Sequence, residues 1–218
     1  MSLALVQDDR PLQPDGDDSP AGALWSAGQL RGTLCELSQD GARAATLAFA
    51  TQLLVQAQRQ GDYVAWLSAR SDVPYAPDLV ACGVDLASMV WVQTASDERS
   101  ARSAARLLQS GGFGFVVLDC LTPAVGLAQV PMAMQGRLIK LAQLHSAGVL
   151  FLSDKSEHVP SLSSMIAVRA VAGWSLQSGR QLQCRLRAIK DKRHGPGWEQ
   201  TMLCQIPDGW HACDVSPV

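Results

Sequence analysis

Apolar and polar positions along the chain fall into short apolar runs that alternate with helix-length segments. Thr33 to Leu37 is predicted as a strand. Ala44 to Gln60, rich in Ala, Leu and Gln, is predicted as a helix that Gly61 ends. Tyr63 to Leu67 reads as the next strand, Asp78 to Cys82 as a short helix stopped by Gly83, and Met89 to Gln93 as a β-rich run. Ser96 is placed to cap a helix reaching Gln109, with Asp97 and Glu98 in its first turn and Gly111 and Gly112 after it. Phe115 to Leu118 is a wholly apolar strand ending in Asp119. Pro131 opens a helix to about Ser146 with Gly148 as its C′ residue, and Val149 to Leu152 is again apolar.

This βαβαβ rhythm predicts an α/β fold, a mostly parallel sheet with helices on both faces. After Ser164 the pattern changes. Met165 to Leu176, Gln181 to Ile189 and Gln200 to Ile206 are strand-like, joined by turn-type segments at 177–180 and 192–197. The expectation is an antiparallel β-extension at the C-terminal end of the sheet. The domain reading is an acidic disordered tail over 1–23, one core domain over 24–206, and a C-terminal tail over 207–218.

Composition sharpens this picture in two places. The chain has 218 residues, of which 47% are hydrophobic and 17% charged, enough for a sizeable core. No apolar run reaches the 18 to 20 or so residues of a membrane span, and Met1 to Pro20 lacks the form of a signal peptide, so no membrane and a cytoplasmic location are expected. The net charge of −2 is unevenly spread: five aspartates (8, 9, 15, 17, 18) face one arginine in residues 1–20, a net −4, which leaves +2 on the rest. Arg180, Arg185, Arg187, Lys190, Lys192 and Arg193 form a basic stretch opposed only by Asp191. Arg187, Lys190, Lys192 and Arg193 are the candidate contact with an acidic partner or with DNA. The plain alternative is a solvated face, and the lack of interleaved aromatics argues for weak or no DNA binding. The six cysteines lie far apart and several fall in apolar runs, so buried free thiols are expected. Cys204, His211 and Cys213 match no zinc spacing, and no metal or cofactor is assigned.

The ligand site of such a fold lies at the carboxyl ends of its strands. Glu36-Leu37-Ser38-Gln39-Asp40-Gly41-Ala42-Arg43-Ala44-Ala45-Thr46-Leu47 has the strand–loop–helix setting of a phosphate-binding loop. It lacks that loop's chemistry: one glycine, Gly41, no lysine, and a carboxylate at Asp40. Arg43 is the one cation near the helix start, and an ATPase with an unorthodox loop that uses it is a further alternative. Phe115-Val116-Val117-Leu118-Asp119 has the form of a Mg²⁺-binding strand, which means little without a nucleotide partner.

Taken in order, these pieces resemble the core of the RecA recombinase. Glu36-Leu37 and the helix after it look like its P-loop unit, Tyr63 to Arg70 is similar to its second strand and turn, and Ala81-Cys82-Gly83-Val84-Asp85 resembles a helix exit. Phe115 to Asp119 resembles the Walker B strand, Leu150 to Asp154 the strand carrying a sensor glutamine, and Arg187 to Lys192 a basic strand end. The resemblance spans about residues 24–200. It places Ala44 and Ala45 at the P-loop Lys and Ser/Thr, Arg70 at the catalytic glutamate, and Asp154 at the sensor glutamine. Lys155 to Ser164 stands where RecA has a longer DNA-binding loop. The resemblance therefore implies a RecA-like protein that is not an enzyme.

Length, order and the final Trp198 to Trp210 segment are most similar to the ImuA family. That implies an accessory of the SOS response and of DNA-damage-induced translesion synthesis and mutagenesis. It would act in DNA repair by protein–protein interaction with RecA, ImuB and the error-prone DNA polymerase. The runner-up resemblance is to SulA cell-division inhibitors, which bind the tubulin-like division protein. RecA-type filaments add a segment of one subunit to an edge strand of the next. The corresponding edge here is Met89, Val90, Trp91 and Val92, a candidate partner strand and a route to a homo-oligomer. The alternative is that Trp91 is core.

Overall fold

The computed structural model describes residues 4–5, 23–39, 43–69, 74–121, 130–176 and 181–205. Among them the order is β1 (Ala4–Leu5), α1 (Ala27–Leu30), β2 (Leu34–Gln39), α2 (Arg43–Arg59), β3 (Tyr63–Ser68), α3 (Ala76–Ala81) and β4 (Met89–Gln93). There follow α4 (Asp97–Gln109), β5 (Phe113–Cys120), α5 (Met132–Leu144), β6 (Gly148–Asp154), β7 (Ile166–Leu176), β8 (Gln181–Asp191) and β9 (Glu199–Gln205). The described strands form one sheet in the order β1-β9-β8-β7-β2-β6-β5-β3-β4. From β4 to β7 every neighbouring pair is parallel, and β7-β8-β9-β1 is antiparallel. The fold is therefore mixed α/β, mostly parallel, with flanking helices and an antiparallel C-terminal extension, as the pattern predicts.

Strand alternation explains why the central strands read as unbroken apolar runs. Successive side chains point to opposite faces, and both faces are covered. Cys35, Leu37, Trp66, Val117, Leu150 and Leu152 meet Phe49, Leu53 and Leu54 of α2 in one core. Leu34, Leu67, Val116, Leu118, Val149 and Phe151 meet Leu108 of α4 and Leu138 of α5 in the other. Each large apolar side chain so buried contributes about 1.5–3 kcal/mol of transfer free energy.

Helix α4 shows the sequence logic most directly. Ser96 caps it, its side chain accepting from the Arg99 N–H at 3.3 Å. Ala101, Ala104, Ala105 and Leu108 repeat at helical spacing and are buried, which leaves the arginines on the opposite face.

Two local expectations are corrected. The helix α5 ends at Leu144, and the left-handed residue after it is Ser146 with φ 51°, not Gly148. Gly148 instead opens β6, because the Phe115 ring of β5 lies across it: a Cβ there would fall 2.3 Å from the ring. Asp119 lies inside β5, which runs to Cys120, since pairing with β3 and β6 continues past the apolar run. Within the segment read as an acidic tail, Ala4 and Leu5 pair with Gln205 and Cys204 of β9. The turn at 177–180 and the C-terminal tail lie outside the described residues, whereas the turn at 192–197 is described. There Asp191 Oδ1 accepts the Arg193 and His194 N–H groups, and Gly195 and Gly197 take positive φ.

Candidate functional site

At the carboxyl ends of β2, β6 and β5, strand parity puts Gln39, Asp154 and Asp119 on the sheet face that α2 covers. Asp119 is buried, with Oδ1 accepting the Leu121 N–H at 3.2 Å, and Asp154 is exposed. Arg43 and Ala44 open α2, and Ala45 is fully buried against the apolar core. Gly41 and Arg70 lie outside the described residues. The position that the resemblance assigns to phosphate thus has two carboxylates beside a helix start whose buried residue is an alanine.

On the other face of β2 lies a buried ionic cluster that the sequence reading missed. Glu36 is fully buried and its Oε1 receives Lys155 Nζ at 2.5 Å and Ser153 Oγ at 2.8 Å. Its Oε2 accepts the Leu162 N–H at 2.9 Å and lies 3.9 Å from Arg169 Nε. Arg169 in turn donates to Ser38 Oγ at 3.1 Å, to the Ser156 carbonyl at 2.9 Å and to the Val159 carbonyl, while Lys155 donates to the Pro160 carbonyl at 2.7 Å. Burial holds the Lys155 ammonium below its ordinary range despite the Glu36 carboxylate, and Arg169 is lowered for the same reason. One carboxylate and two cations thereby fasten segment 155–164 over the open face of β2 and β7. The signal was an acid and a base inside apolar strands, Glu36 and Arg169, whose partners only the fold brings near.

Three cations of the basic stretch reach the same segment. Arg187 pairs with Glu157, Lys190 Nζ donates to the Ser163 carbonyl at 3.3 Å, and Lys192 Nζ donates to the Ser164 carbonyl at 2.6 Å. Arg193 reaches back to the Gln29 carbonyl at 3.1 Å. Burial and the neighbouring Lys192 lower the Lys190 ammonium, with Glu36 opposing. All four candidate contact residues therefore have partners within the chain.

Strand β4 is the terminal strand of the sheet, pairing with β3 alone among the described residues. Met89, Val90, Trp91 and Val92 are half-buried. The Trp91 indole stacks on fully buried Trp66, centroids 5.8 Å apart and planes 11° off parallel, so it belongs to the core wall. Among the described residues no strand pairs with its outer backbone edge. Where β4 ends, Gln93, Thr94 and Ala95 meet Arg99, Arg102, Ser103 and Arg106 of α4 in an open groove of about 620 Å³. The three arginines are exposed.

Among the described residues no cluster of three or more His, Cys, Asp or Glu side chains is arranged for a metal, and no helix is long and apolar enough to cross a membrane. Fold and site together define the class: a mixed α/β protein with a mostly parallel sheet, whose polar groups gather at the strand ends and at one sheet edge. No protein-family model and no curated protein matches the chain.

Proposed function

We propose that this protein is a non-catalytic, RecA-like accessory of DNA-damage-induced translesion synthesis. In this reading it is cytoplasmic and works by contact with RecA and with the ImuB and error-prone polymerase complex, altering RecA activity. The observation that carries the reading is the strand-end site. The resemblance puts phosphates beside the start of α2, and there the chain offers buried Ala45 with Asp119 and Asp154 on the same face of the sheet. A lysine and a hydroxyl would be needed to hold a nucleotide and its Mg²⁺ there. The RecA-type scaffold is retained without them, so its surfaces carry the activity. The outer edge of β4, which pairs with no further strand among the described residues, is the surface that would receive a second chain in this reading.

The test is a titration of the protein into RecA on single-stranded DNA, following ATP hydrolysis and strand exchange, beside a measurement of its own nucleotide binding. Dose-dependent change in RecA activity with no nucleotide binding is the expected result. No effect on RecA refutes direct modulation. Binding to the tubulin-like division protein in a parallel assay would then select the SulA-type reading. Nucleotide hydrolysis abolished by Asp119→Ala would refute the non-catalytic assignment itself.

A further inference from the structure

The groove at the end of β4 is lined by three exposed arginines. Arg99, Arg102 and Arg106 occupy one exposed face of α4 at i, i+3 and i+7, opposite its buried alanines. Glu98 binds Arg102 at 2.5 Å, so a carboxylate already occupies one of the three guanidinium groups, while Arg99 and Arg106 flank it. Arg137 and Lys140 on the neighbouring α5 are exposed too, and α5 contains no acid. In a chain of net charge −2 this is a local cationic surface, and it adjoins the outer edge of β4, which pairs with no further strand among the described residues.

We infer that this groove and the β4 edge together bind an acidic, extended segment of a partner protein. The segment's backbone would add alongside β4, and its carboxylates would pair with Arg99 and Arg106. This rests on the reading of β4 as a partner-facing edge and names the chemistry of what it receives. Two observations select a peptide over a nucleic acid. A strand edge offers backbone N–H and C=O groups, which match another peptide backbone. The groove lining of Gln93, Thr94, Ala95, Ser103 and the arginines includes no aromatic ring on which a base can stack. Guanidinium forks suit carboxylates, and pairing at an exposed site of this kind weakens with salt.

The experiment is fluorescence anisotropy with the full chain and three labelled probes: an eight-residue peptide alternating Asp and Val, its Lys–Val counterpart, and a dT20 oligonucleotide. Binding of the Asp–Val peptide alone is expected, about tenfold weaker in Arg99→Glu/Arg106→Glu and weakened again at high salt. The exposed Arg59→Glu variant serves as a control for net charge, and circular dichroism checks that each variant folds. Tighter binding of dT20 lost in the same variant overturns the inference in favour of a nucleic acid. Peptide binding unchanged by the double substitution overturns it, as does binding of no probe. The RecA titration separates the two readings: a RecA effect that survives Arg99→Glu/Arg106→Glu removes this inference alone. Peptide binding without a RecA effect removes the RecA reading alone.

Discussion

Replacing Glu36 with Gln tests whether the buried cluster is what fastens segment 155–164. The carboxylate is fully buried and is the one acid paired with both Lys155 and Arg169. An amide is nearly isosteric, so the substitution leaves packing intact and removes the charge. Two buried cations then face each other without compensation, and the amide NH₂ meets donors that previously pointed at an acceptor. Breaking a buried pair by removing one partner costs about 3–5 kcal/mol. At roughly 2–4 °C per kcal/mol for a chain of this size, the midpoint of thermal unfolding should fall by about 6–20 °C. Urea unfolding followed by circular dichroism measures the free energy, and chymotrypsin cleavage at Leu162 reports release of the segment.

The pH dependence has a definite sign. Burial already depresses Lys155 below its ordinary value of 10.5, and Glu36 is the group that opposes this. Without Glu36 the folded chain sheds that proton at still lower pH, so between that point and 10.5 the unfolded chain binds more protons. Stability of Glu36→Gln therefore rises with pH, and its deficit against wild type shrinks between pH 7 and pH 10. A loss below about 1 kcal/mol, the scale of an exposed ion pair, or a deficit independent of pH, would refute the reasoning.

Gly148→Ala should cost about 1–3 kcal/mol in urea unfolding, because the new methyl meets the Phe115 ring and a packed core yields little; an unchanged midpoint would mean that the ring has room to turn. The described cysteines 35, 82, 120, 184 and 204 are all buried, and burial pushes the Cys35 thiol up to about 12. These five should resist iodoacetamide at pH 8 until denaturant is added, and mass spectrometry of prompt labelling at Cys35 would contradict that. Burial works against the Asp191 carboxylate, but donors from His194, Arg193 and Trp198 hold its titration below the ordinary value of 3.8. Its stabilising contribution is complete above that value and is lost as pH falls through the depressed one. Asp191→Asn should therefore flatten the acid limb of the stability curve, and an unaltered acid slope would show that the turn is held otherwise.

Local pattern was enough to place most elements. A strand buried on both faces is apolar throughout and a helix lying on a sheet is apolar on one stripe, so β3, β5, β6 and α4 announce themselves in one dimension. So did the absent lysine and hydroxyl at the start of α2, since they are residue identities at fixed spacing from a strand. What one dimension does not carry is sequence-distant pairing. Gly148 looked like a helix end because its neighbours are helical, and only the Phe115 ring, 33 residues away, explains it. Glu36 and Lys155 are more than a hundred residues apart and meet because β2 and β6 are parallel neighbours.

The basic stretch shows the same limit most plainly. As sequence, Arg187 to Arg193 is a run of positive charge waiting for a partner. In the fold β8 pairs with β7, Arg187 meets the Glu157 carboxylate, Lys190 and Lys192 donate to the Ser163 and Ser164 carbonyls, and Arg193 donates to that of Gln29. The arginines of α4 are exposed as well, visible in the sequence at helical spacing but indistinguishable there from any solvated face. Sequence by itself determined which segments bury apolar surface and which chemistry the first loop lacks, because both follow from residue type and local period. Only the tertiary structure decided which charged groups find partners within the chain, because such pairing depends on distances that chain order does not encode.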